Sequence, residues 1–150
     1  MEYCKMKRMV SAAVAIMAAF FCLTACVNGE KVPFETVNHY FFKNNAERPA
    51  DAKINTANDF LTHFGMGPVM GEDGRPTFVD FKEKFVIAVV PPRTDTDTEL
   101  IPVSLVRKGD TLTFTYQEKT GAKVPYVMQP LLLVAVDRQY EAPNVVVKKK

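Results

Sequence analysis

The chain alternates between one long apolar run and many short ones, and the spacing within each predicts its element. Val10 to Leu23 is the long run, placed just after Lys5, Lys7 and Arg8. Residues 27–36 are polar and broken by Gly29 and Pro33, which reads as a tether. Val37 to Phe42 (VNHYFF) is aromatic and suits a strand. Asn44 to Ala52 is polar, contains Pro49 and reads as a loop. One segment has helical spacing. Ala57, Phe60, Leu61 and Phe64 fall on a single face at i, i+3, i+4 and i+7. Thr56 can cap its start with Asp59 three residues on, close to a capping box, and Gly65 is placed to end it.

The remainder is strand and turn. Gly65 to Pro76 holds four glycines and two prolines and predicts a loop, with Glu72 to Pro76 as its turn and Met66 or Met70 packed on the core. Phe85 to Val90 is continuously apolar, as in a central strand buried on both faces. Leu100 to Val106 and Leu112 to Tyr116 flank Lys108-Gly109-Asp110, a hairpin signal. Thr111, Thr113 and Thr115 alternate with Leu112, Phe114 and Tyr116, giving one wet face and one buried face. Val124 to Met128 and Leu131 to Val136 predict one or two more strands. Val145 to Val147 predicts an edge strand closed by Lys148, Lys149 and Lys150. The sum is an α+β fold. One short helix packs on a small, mostly antiparallel sheet or open barrel of about five to seven strands.

The opening segment changes how composition is read. A basic start, an apolar run and small residues before a cleavage point are the parts of a secretory signal. The run ends in Leu23-Thr24-Ala25-Cys26, which resembles the lipobox of bacterial lipoproteins. That resemblance implies a diacylglycerol on the Cys26 thiol, cleavage before Cys26 and an acyl chain on the new amino group. The run is also shorter than the roughly 20 residues of a spanning helix. The organisation is then a signal peptide over 1–25, a lipidated tether over 26–36 and one β-rich domain over 37–150.

The whole chain has 19 basic and 17 acidic residues, a formal net charge of +2. Cleavage removes Lys5, Lys7, Arg8 and Glu2 and leaves sixteen of each sign. The basic excess belongs to the leader, so nothing in the charge argues for nucleic acid. Cys4 and Cys22 leave too, and Cys26 is acylated, so no cysteine is left for a disulfide.

Few residues can carry catalysis. Ser104 is the one serine after Cys26, and no Gly-x-Ser-x-Gly elbow surrounds it. The histidines are His39, in a predicted strand, and His63, on the helix. Their spacing is no zinc pattern. Gly65-Met-Gly-Pro-Val-Met-Gly71 lacks the Lys and Ser/Thr of a phosphate loop. No catalytic residue, metal or cofactor is expected. Asp95, Asp97 and Glu99 alternate, but an EF-hand's sixth-position glycine and distal glutamate are missing. The polar excursion around them is the better candidate. Pro92, Arg93, Thr94, Asp95, Thr96, Asp97, Thr98 and Glu99 are expected to form a partner-binding loop on a rigid sheet.

The order of elements from Ile54 to Asp137 carries a resemblance. Asp59-Phe60 and Phe64 are followed by Val79-Asp80-Phe81, the strand Phe85–Val90, Gly109-Asp110-Thr111-Leu112, Val124-Pro125-Tyr126 and the apolar strand to Asp137. This is similar to the PrcB C-terminal domain family of secreted and lipidated bacterial proteins. Where that family commonly has a Thr-Gly-Gly-Tyr turn, this chain has Arg93 to Thr98. The resemblance implies an accessory partner of a protease rather than an enzyme. The whole chain also looks like small lipoproteins of Bacteroidales bacteria.

Three function classes follow. The first is a lipid-anchored, non-catalytic protein-binding module, in its sharper form an accessory subunit or inhibitor of a secreted protease. The second is a structural envelope lipoprotein with no soluble ligand. The third is a small hydrolase, which requires Ser104 to meet His39 or His63. Only Glu30 is acidic close behind Cys26, so the periplasmic face of the outer membrane is expected rather than the cell surface.

Overall fold

The computed structural model describes residues 29–68 and 71–150. Cys26 and the signal segment lie outside them, as does Met70. Among the described residues no helix is long and apolar enough to cross a membrane. Residues Lys31–Lys150 form one compact unit.

The described residues form ten strands and one α-helix, in the broad α+β class. In chain order they are β1 (Glu30–Lys31), β2 (Glu35–Thr36), β3 (Tyr40–Phe42), β4 (Lys53–Ile54), α1 (Ala57–His63), β5 (Phe64–Met66), β6 (Lys84–Val89), β7 (Thr94–Lys108), β8 (Thr111–Met128), β9 (Leu132–Asp137) and β10 (Asn144–Lys149). They make three sheets, ordered β1-β7-β8-β10, β2-β9-β6-β4 and β3-β5. The expectation of one sheet with about five to seven strands was too small, because segments of two or three residues carry no period in sequence. β2 with β9, β3 with β5, β4 with β6, β6 with β9 and β7 with β8 pair antiparallel, and β10 with β8 pairs parallel. The sheets stay open; no barrel closes among the described residues.

The β2-β9-β6-β4 sheet is the middle layer. Successive side chains of a strand point to opposite faces. Phe85, Ile87 and Val89 of β6, with Leu132, Val134 and Val136 of β9, therefore share one face. There they meet Leu105, Leu112 and Phe114 of the β7–β8 sheet. Val86, Ala88, Leu133 and Ala135 share the other face and meet Phe60 and Phe64 at the end of α1. The continuous apolar run of β6 is thus explained: both of its faces are buried. Each fully buried side chain of this size contributes about 1.5–3 kcal/mol.

The helix starts as expected and ends differently. The Thr56 hydroxyl accepts from the Asp59 amide at 3.1 Å, which satisfies a free helix N–H. The chain leaves α1 at Phe64 in extended conformation, and Gly65 sits inside β5 instead of capping the helix. Phe60 and Phe64 are buried but Leu61 is exposed, so the apolar face is narrower than its spacing suggested; Met66, expected against the core from the glycine-rich segment, is exposed in β5. Phe60 anchors this layer through Tyr40 and Phe64, each with ring centroids at 5.0 Å, and Phe81 at 5.6 Å.

Three further expectations are corrected. The stretch expected as tether is partly domain: Val32 is 4 % exposed, its N–H donates to Leu105 O at 2.9 Å, and β2 pairs with β9. The strand expected over Val37–Phe42 is broken by His39, whose φ of 64° turns the backbone. Val37 stays buried on the middle sheet, while Tyr40 begins a separate two-stranded antiparallel layer with β5. Val124–Met128 is the far end of β8 and not a strand of its own.

Candidate partner-binding surface

The residues expected to form a binding loop lie mostly in a strand. Only Pro92 and Arg93 precede β7; Thr94 through Glu99 pair with Thr120 to Met128 and Lys119 of β8. The hairpin is far longer than Leu100–Tyr116 suggested, because threonines at alternate positions of 94–98 suit an extended ribbon. Its turn at Gly109-Asp110 uses φ 58° at Gly109, the first central position, where a type II′ turn places glycine.

This ribbon joins the two larger sheets. Val89 pairs with Leu132 at the end of the middle sheet, and five residues later Thr94 pairs with Met128. The same strands then form the centre of the outer sheet, where Leu105 and Phe114 pack onto β6 and β9. The bend between the sheets shows in the register. From Thr98 to Thr94 β7 takes four steps, while β8 takes eight from Thr120 to Met128. Extra residues on one strand bend a ribbon and increase its twist. β8 is therefore the outer strand of an arch, β7 the inner one.

The longer strand carries exposed apolar groups. Tyr126 is 62 % and Val127 67 % exposed, with Pro125 and Ala122 also exposed. Proline at 125 is a sequence signal for a bulge or edge. Read that way, it points to this surface, which the expected loop missed. The inner strand shows Asp95, Asp97 and Glu99 exposed and alternating with half-buried Thr94, Thr96 and Thr98. Lys123 Nζ bridges Asp95 at 3.1 Å, and Lys119 is the cross-strand partner of Glu99. The acidic row is thus partly answered by β8. Gly121 lies against Asp97, 3.5 Å from a built Cβ.

The arch is anchored at its base. Arg93 Nη2 donates to Asn44 Oδ1 at 3.0 Å. Gln129 Nε2 donates to Pro91 O at 2.6 Å and to Pro130 O at 3.0 Å, closing the neck of the ribbon. The Thr98 hydroxyl donates to Thr96 O at 2.9 Å.

A second polar centre lies at the open side of the sandwich. Lys53 Nζ donates to Glu141 Oε1 at 2.7 Å and lies 5.2 Å from the centre of the Phe85 ring. Arg138 donates to Phe81 O at 2.7 Å and Asn55 O at 2.6 Å, and approaches Glu141 at 3.4 Å. The Lys53 hydrogen bond, aided by the Lys53 and Arg138 charges, holds the Glu141 carboxyl below its ordinary pKa against the opposing effect of burial. A cleft of about 540 Å³ beside Lys53 runs from Asp51 to the start of β10. Burial raises the Tyr40 phenol above its usual pKa, and its hydroxyl donates to Thr77 O at 2.9 Å.

The histidines and Ser104 are held apart. Ser104 pairs with Thr115 on the outer face of the β7–β8 sheet, one position from inward-facing Leu105. His63 lies on α1, beyond the middle sheet, with Nδ1 2.7 Å from Glu47 O and Nε2 3.6 Å from Asp59. His39 lies on the same far side, where its carbonyl accepts from Gly67 N–H. Packed sheets are roughly 10 Å apart, so Ser104 meets neither histidine. Among the described residues no three His, Cys, Asp or Glu side chains gather as a metal site.

No family model matches the chain, and neither a curated protein nor a solved structure matches it.

Proposed function

We propose that this chain is a lipid-anchored, non-catalytic protein-binding module of the cell envelope, and that the β7–β8 arch is its contact surface. The observation that carries the reading is the length difference across the arch. It displays Tyr126 and Val127 on the outer strand while Gln129 fastens the base. Exposed aromatic and aliphatic groups on a rigid scaffold are the usual anchors of protein contacts. The acidic row of β7 flanks them with groups suited to orienting a partner.

The partner class we propose is a secreted protease, with this chain as accessory subunit or inhibitor; that part rests on the resemblance set out from Ile54 to Asp137. Anchoring is through Cys26, on the periplasmic face of the outer membrane. Each buried CH₂ of the acyl chains adds about 0.8 kcal/mol of membrane affinity, and two or more chains give stable attachment.

A photo-crosslinking residue at Tyr126 tests the contact in native cells. An envelope protein should be captured there, and not from the same residue placed at Lys108 beside the hairpin turn. Equal capture from both positions, or none from Tyr126, would remove the arch as the contact surface. Metabolic labelling with a palmitate analogue tests the anchor, since Cys26→Ala should lose the label.

A further inference from the structure

The outer edge of β10 has no strand beside it among the described residues. Asn144 N–H donates to Asp110 O at 3.1 Å and Lys150 N–H to Tyr116 O at 2.8 Å. Alternate residues of a strand turn their backbone groups to opposite sides. The even-numbered residues therefore serve the ladder with β8. Val145, Val147 and Lys149 present N–H and C=O outwards. Natural edges are guarded by charges, prolines or bulges. In β10 the guarding charges, Lys148 and Lys149, sit only at the C-terminal end; Asn144 to Val147 contains none of these devices, and Val146 is 42 % exposed.

Charge is polarised along this strand. Lys148, Lys149 and Lys150 close its C-terminal end, where Lys149 bridges Glu118 of its own chain at 3.3 Å and Lys148 and Lys150 carry the remaining charge. At its N-terminal end stands Asp110, whose carbonyl holds Asn144, while Asp51 flanks the strand from Asn144 to Val147 and Lys53 in the same cleft is answered by Glu141. A strand that is basic at one end and acidic at the other is complementary to its own reverse. A parallel partner would set lysines against lysines.

We propose that β10 pairs antiparallel with β10 of a second copy, about a two-fold axis at Val146. Val146 then faces Val146 of the other copy, Val145 faces Val147, and Asn144 faces Lys148. The outward groups of Val145 and Val147 exchange about four backbone hydrogen bonds. The lysine tail of each copy reaches the Asp110 end of the other. The two four-stranded sheets become one. Two six-residue strands bury less than the roughly 1,200 Å² of a stable complex, so pairing depends on concentration.

Single-cysteine variants of the full chain test this register. Facing Cα atoms at a non-hydrogen-bonded position lie about 4.5 Å apart, within the disulfide range of about 4.4–6.8 Å. Val146→Cys should form a reducible dimer well above the level of the unsubstituted chain. Asn144→Cys or Lys148→Cys alone should not, while a mixture of the two should. Sedimentation of the detergent-solubilised chain should show a concentration-dependent doubling of mass. Replacing Lys148, Lys149 and Lys150 by Glu should abolish it with the circular dichroism unchanged. A Val146→Cys chain that dimerises no more than the unsubstituted protein overturns the pairing. Equal crosslinking at all three positions, or a single mass at every concentration, overturns it too.

Discussion

The ring of Phe41 lies across Gly65, so that a Cβ built on Gly65 would stand 2.5 Å from Phe41 Cζ. The two residues are cross-strand neighbours in the antiparallel β3–β5 pair. Gly65 is in extended conformation, so the need for glycine is steric and not a matter of backbone freedom. Phe41 is half exposed and its ring can swing aside. Gly65→Ala is therefore expected to cost about 1 kcal/mol, at the low end for overpacking. In a Phe41→Ala background the same change should be close to neutral. Urea unfolding of the four chains measures this coupling, and an equal cost in both backgrounds would show that Phe41 is not the cause.

Glu141 ties stability to acid. Its pKa is lowered on folding, chiefly by the Lys53 hydrogen bond. Between the folded and unfolded pKa values the unfolded chain binds more protons, so stability rises with pH there. The contribution is complete above the unfolded carboxyl value of about 4.3 and is lost as pH falls through the folded value. Glu141 is 37 % exposed, so solvent screens the pair and Glu141→Gln should cost under about 1 kcal/mol at pH 7. The variant should also show a flatter acid limb in a pH series of urea midpoints. A limb as steep as that of the parent would place the acid sensitivity elsewhere.

Arg138 should matter more than Glu141. Its guanidinium serves the carbonyls of Phe81 and Asn55 from three separate donors. Hydrogen bonds to a charged group contribute about 1.5–3 kcal/mol each, and the carbonyls left behind lose their donors. Arg138→Met is expected to cost about 3 kcal/mol. Thermal unfolding measures it; a cost below that of Glu141→Gln would reverse the ranking.

Val32 decides where the domain begins. It is buried against the main core, and its loss should cost about 2 kcal/mol as Val32→Ala. Glu35→Ala nearby, on the exposed side of β2, should change stability by less than about 0.5 kcal/mol despite its 3.0 Å pair with Lys84. If residues up to 36 were only a tether, the two substitutions would be alike.

Sequence pattern revealed where the longer strands lie, though not the full reach of β7 and β8, and missed the short ones. The double burial of β6 is written in Phe85–Val90, where no polar residue interrupts. The Thr56 cap and the Gly109 turn are local chemistry and were legible for that reason. β2, β4 and β5 hold only two or three residues each, and tertiary packing alone selects them. Val32 looked like tether because its strand partner lies more than seventy positions away. The binding candidate was half legible. Polar residues 92–99 mark the inner strand of the arch, but its exposed apolar groups lie on β8, and only the register brings the two segments together.

The unequal strands of the arch have an evolutionary consequence. Where β8 takes eight steps against four, added or deleted residues change only the height of a bulge. The turn at Gly109-Asp110 and the layers beneath keep their alignment. In this stretch of the paired ribbon length can drift at little cost, so descendants of this chain can reshape what they present there while inheriting the same core.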